Sequence, residues 1–163
     1  SYYQEGDTYV DEWGIRWKSI AHETRFGRGH YTEMIEHPLA QDGAVGRYRP
    51  PDPNRPELYH AAQRVIHQFK DEYWIAGAVV CTVLEAAWGL RGLEAMMMDF
   101  VRDPGLAEQI LDIPYQYHLT AAKKLVEMGV DMIWGRYRHP AYDADLPPDL
   151  AAFLETADGE FYR

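Results

Sequence analysis

The sequence predicts an α/β chain, and two observations carry that prediction. Tyr73-Trp74-Ile75-Ala76-Gly77-Ala78-Val79-Val80 and Val130-Asp131-Met132-Ile133-Trp134 are short, largely apolar runs bounded by polar residues. Such runs are the pattern of strands covered on both faces in a parallel sheet. Around them, apolar residues recur at helical spacing. About 50 residues of mostly helical pattern separate the runs, so a right-handed parallel crossover is expected to join them.

The elements follow in chain order. Over residues 7–20, Tyr9, Trp13, Ile15 and Trp17 are spaced by polar residues or Gly14, which predicts a β-hairpin turning near Glu12-Trp13-Gly14. Residues 21–56 contain Gly27, Gly29, Gly43, Gly46 and five prolines and show no periodicity. They read as ordered loop holding at most a short turn, the kind of segment that covers a site. Leu58, Ala61, Ala62, Val65, Ile66 and Phe69 form one face of an amphipathic helix, with Pro56 suited to its first turn. After the first apolar run comes a turn through Trp88-Gly89-Leu90-Arg91-Gly92. A helix then spans Leu93 to Val101 and stops at Asp103-Pro104-Gly105. A longer helix, Leu106 to Met128, is expected to kink or split at Pro114 and to end on Gly129. Beyond Trp134 the pattern weakens to polar loop, with one short helix expected from Leu150 to Thr156. Two buried parallel strands need neighbours on both sides, and the hairpin does not supply them.

Composition sets limits on function. With 26 acidic and 16 basic residues the formal charge is −10, a field that repels nucleic acid and anionic membrane surfaces. No apolar run reaches the length needed to span a bilayer. A single cysteine, Cys81, forbids an intrachain disulfide, so a reducing, cytoplasmic setting is the expectation. The chain opens at Ser1 with no signal-peptide character and without Met.

Several pieces together resemble the uroporphyrinogen decarboxylase family, which includes cobalamin-linked methyltransferases. They are Asp11-Glu12-Trp13-Gly14-Ile15-Arg16-Trp17-Lys18, Glu36-His37-Pro38-Leu39, Pro51-Asp52-Pro53, Trp88-Gly89-Leu90-Arg91-Gly92, Met98-Asp99-Phe100, Asp103-Pro104 and Glu127-Met128-Gly129-Val130-Asp131. Their order and spacing agree over residues 7–134. The resemblance implies a partial (β/α)8 TIM barrel, since complete barrels take about 250 residues. On it, residues 1–134 form an incomplete barrel domain, and 135–163 form a diverged or non-homologous tail. Where family members place acidic residues after the fourth strand, this chain has Gly135-Arg136-Tyr137-Arg138.

Three functions follow from the resemblance. The first is a one-carbon (methyl) transferase with a corrinoid or other tetrapyrrole as partner, for which zinc is possible in the full-length protein. The second is a uroporphyrinogen decarboxylase, which removes CO2 from acetate side chains without a cofactor. The third is a catalytically silent chain that needs a completing chain or a second copy of itself.

Candidate site residues are few, and no catalytic residue can be named from the sequence. The resemblance sets Trp88 near the place where the decarboxylases carry a substrate-facing Tyr; an indole can stack on a planar ring but lacks the phenol's proton chemistry. Packing beneath the barrel rim is the simpler role for it. Asp11, beside Glu12, sits in a hairpin that could approach the barrel mouth. Arg16, like Arg47 and Arg49, could form a bidentate pair with an anionic substrate, although surface ion pairing is the simpler reading.

No metal ligand set is expected. His60 and His67 share a helix face but stand about 10 Å apart, too far for one zinc ion. His22, His30 and His37 show no ligand spacing. Cys81 reads as a buried thiol, and Asp99 and Asp103 as helix caps. Phosphate-loop, nucleophile-elbow and CxxC motifs are missing from the sequence.

Overall fold

The computed structural model describes residues 5–25, 27–79 and 83–134. The expected hairpin is present. β1 (Thr8–Val10) pairs antiparallel with β2 (Arg16–Thr24), setting Tyr9 opposite Trp17. Gly14, with φ +79°, takes the left-handed turn conformation that a side chain would strain.

The segment after residue 20 differs from the expected loop. β2 continues to Thr24, and β3 (Gly27–Glu36) pairs along it, giving a three-stranded antiparallel sheet in the order β1-β2-β3. β3 escapes a sequence reading because it is exposed on both faces except at Gly29 and Met34. With so little buried it carries no apolar alternation, and its two early glycines suggest loop. Only residues 37–55 remain irregular, with one 3-10 turn at Val45–Arg47.

A 3-10 turn at Pro56–Tyr59 leads into α1 (His60–Phe69). β4 (Ala76–Ala78), α2 (Val83–Arg91), α3 (Leu93–Arg102), α4 (Pro104–Glu127) and β5 (Met132–Trp134) follow. α2 replaces the turn expected at Trp88–Gly92. Gly89 marks no break in it: a Cβ there would lie 3.0 Å from Ile15 Cδ1, so the bare backbone lets α2 settle against the sheet. α4 begins two residues earlier than expected. Asp103 caps it by accepting from Leu106 N at 3.0 Å, and Pro104 occupies its first turn. It runs unbroken through the buried Pro114, and Gly129 (φ +95°) closes it by donating to the Val126 carbonyl.

β4 and β5 pair in parallel as expected, with Ala76 opposite Met132 and Ala78 opposite Trp134. They are shorter than the apolar runs, however, and are not covered on both faces: Gly77 alone is buried, while Trp74 is 84% and Trp134 58% exposed. The reason is the strand count. α4 covers one face, with Leu125 against Gly77, and no third strand joins this sheet among the described residues. The result is an α/β fold with an antiparallel and a parallel sheet, and no closed barrel among the described residues.

The core joins the two halves. Ile15 from the first turn and Leu39 from the loop meet Ala87 and Leu90 of α2, Met96 of α3, and Ala107 and Ile110 of α4. Each larger side chain buried there contributes about 1.5–3 kcal/mol. Among the described residues no helix is long and apolar enough to cross a membrane. Cys81, the Gly135–Arg138 loop and the short helix expected at Leu150–Thr156 lie outside the described residues.

Candidate functional site

The site begins with the first turn. Asp11 Oδ1 accepts from the backbone N–H groups of Trp13 and Ile15, each at 2.9 Å, and its Oδ2 accepts from Trp17 Nε1 at 2.8 Å. One carboxylate therefore shapes the turn and orients the Trp17 indole. The Tyr48 hydroxyl donates to the Trp13 carbonyl at 2.8 Å, tying the loop to the same turn. Burial first, and the Asp11 charge second, hold this phenol well above its ordinary pKa.

Across from the turn stands α4. Tyr117 meets Trp13 edge to face, with ring centroids 4.8 Å apart, and His118 lies 6.1 Å from the same indole. Both ring nitrogens of His118 are buried without a hydrogen-bond partner among the described residues, and burial lowers its pKa, so the ring is neutral at pH 7. Glu12 pairs with Arg55, and the Tyr117 hydroxyl lies against both. The tyrosine is pushed above its ordinary value mainly by burial, then by Glu12. Tyr59 donates to the Pro53 carbonyl at 2.6 Å.

These groups wall one side of a cleft of about 690 Å³. α1 supplies Ala61, Ala62 and Val65; β4 lines it along its whole length and past its C-terminal end at Val79; α2 adds Glu85 and Ala86; α4 adds Ala121 and Leu125. The apolar face of α1, legible in the sequence, thus has the cleft rather than a packed core as its partner. In size and in its apolar wall with few polar groups, the cleft matches a small-molecule site. Among the described residues its charged lining side chains, Asp11, Glu12 and Glu85, are all acidic.

The sequence candidates fall in different places. Asp11 lines the cleft, but its oxygens are engaged in the turn. Trp88 is half-buried against the core cluster and is not a lining residue. Arg16 forms an ion pair with Glu36 at 3.0 Å on the antiparallel sheet, off the line of a hydrogen bond and away from the cleft. Asp99 caps nothing: it is buried and accepts from Arg91 Nε at 2.7 Å. Arg91 also donates to the Leu39 and Ala40 carbonyls and to Asp42. This network locks the loop onto α2 and α3.

Tyr117, His118, Arg55 and Glu85 were not singled out by the sequence. A histidine among Tyr117, Ala121 and Leu125 on one helix face was the available signal. Among the described residues no group of three or more His, Cys, Asp or Glu could hold a metal ion. Comparison with protein-family models, with curated proteins and with solved structures finds no match for this chain in any of the three.

Proposed function

We propose that the chain forms the substrate-side part of a one-carbon (methyl) transferase of the uroporphyrinogen decarboxylase type. On this reading β4 and β5 are neighbouring strands of a (β/α)8-type barrel, and a corrinoid reaches the cleft as a separate partner. The supporting observation is the cleft itself: its wall follows β4 past the strand's C-terminal end, the end at which such barrels place their active sites. The parallel pairing of β4 with β5 through a helical crossover agrees with the same topology. This chain's own residues would hold a small substrate between the Trp13–Trp17–Tyr117 wall and α1 and shield it from water.

Decarboxylation of a tetrapyrrole bearing many carboxylates is the weaker reading. Such a substrate would meet Asp11, Glu12 and Glu85, and like charges at close range are costly. The parallel sheet has two strands among the described residues and leaves Trp74 and Trp134 exposed, which favours a different second reading, in which a further chain completes the barrel before any turnover.

Equilibrium dialysis of the chain against methylcobalamin and, separately, uroporphyrin tests these readings. Retention of methylcobalamin alone is the expected result. Retention of uroporphyrin instead would move the assignment to decarboxylation. Retention of neither would overturn the transferase reading for the isolated chain and leave the completing-chain reading standing.

A further inference from the structure

We infer that α3 is a docking face for a second copy of this chain, packed antiparallel to its own α3 across a twofold axis. None of its residues lines the cleft, so the inference stands apart from the transferase reading.

Most of the apolar surface of α3 points outward. Leu93, Met97 and Val101 stand at i, i+4 and i+8 and form one ridge along the helix, with Phe100 on one flank. All four are exposed, Val101 to 82%. The face turned inward buries Met96 together with Asp99, whose carboxylate accepts from Arg91. Exposed apolar side chains scattered singly are ordinary, but a continuous ridge of them marks a contact surface.

Charge selects the occupant. Glu94, Met98 and Arg102 form a second row on the other flank of the ridge, also at i, i+4 and i+8 and also exposed. The two charges lie about 12 Å apart along the helix, too far to pair with each other. Neither has an ion-pair partner among the described residues. An antiparallel copy related by a twofold axis at Met97–Met98 brings each Glu94 beside Arg102 of the other copy. The same axis sets Leu93 against Val101 and Met97 against Met97, so one surface serves both sides. A parallel arrangement makes no such pairing. A contact of this length falls below the ~1,200 Å² of a standard interface, so the dimer is weak and reversible.

Glu94 in the first turn and Arg102 in the last also suit the helix dipole, which alone would account for their places. Exchanging the two charges separates the roles, because the helix loses both favourable end charges while the pairing between copies is kept.

Sedimentation equilibrium of the full chain carrying Trp74→Lys, which removes the exposed tryptophan near the parallel sheet as a competing contact, tests the inference. Glu94→Arg and Arg102→Glu should each weaken the dimer about fivefold or more, and their combination should restore it. Glu94→Arg is the sharper arm: it lowers the net negative charge, so the field of the whole chain would tighten the dimer while the pairing weakens it. Val101→Glu should abolish the dimer. Urea melts show that each variant remains folded.

A dimer indifferent to these changes would place the contact elsewhere and overturn the inference. Loss in both single variants without recovery in the double would overturn the antiparallel pairing. A chain monomeric at millimolar concentration would overturn the inference as well. In that case a urea midpoint lowered by Val101→Glu would assign the ridge to another segment of the same chain, and an unchanged midpoint would leave it to a different protein.

Discussion

Both carboxylate oxygens of Asp11 are committed to the turn in which it stands. Removing them leaves two backbone N–H groups and an indole N–H without partners in a half-buried place. Asp11→Ala should therefore destabilise the chain by about 2–4 kcal/mol, read as a fall in the urea midpoint at unchanged slope. His118 makes a different prediction. Its folded pKa lies below the ordinary 6.5 because burial disfavours the charged ring. The unfolded chain therefore takes up this proton first as pH falls, and stability present above pH 6.5 is lost below it. Urea midpoints at pH 7.5 and 5.5 should differ less in His118→Phe than in the wild type; an equal loss in both would remove His118 as the cause.

Between α2 and α3, Gly92 has φ +92° and ψ 136°, a conformation essentially reserved for glycine, and a Cβ there would come within 3.3 Å of the His37 ring. His37 is itself fixed, its Nδ1 2.8 Å from the Gly89 carbonyl oxygen. Gly92→Ala should cost about 1–3 kcal/mol in thermal or urea melts, whereas Gly43→Ala, with positive φ but open space around it, meets backbone strain alone. What the sequence revealed at this scale tracks what each element buries. The hairpin turn, α3, α4 and the β4–β5 pairing were legible because turn residues, caps and apolar spacing all agreed. β3 was not, since it buries almost nothing. α2 was read as a turn because its glycine serves a contact with Ile15 that is distant in sequence. The same logic explains the site: Tyr117 and His118 lie inside the helix expected from Leu106 to Met128, and only the tertiary arrangement shows that they wall a cleft.

At the scale of the whole molecule, the charge of −10 opposes contact between copies, while Trp74, Trp134 and the edges of the parallel sheet, unpaired among the described residues, favour it. These opposing terms predict a salt response. Sedimentation should show self-association that grows as added salt screens the repulsion, and Trp74→Lys should reduce it. A monomer at every salt concentration would show that the exposed edge is not a docking surface for a second copy.

The two sheets also differ in how far along the chain their partners lie. β2 and β3 turn back on each other within a few residues, whereas the Asp131 carboxylate accepts from the Ile75 N–H across 56 positions, next to the β4–β5 ladder. Lys70, at the end of α1, also pairs with that carboxylate. A long loop must close before the parallel ladder gains anything, while the hairpin closes at small entropic cost. Folding is therefore expected to proceed from the meander outward, with the wall of the cleft formed by β4 among the last surfaces to assemble. In pulse-labelled refolding, the amides of β2 and β3 should gain protection before those of β4 and β5.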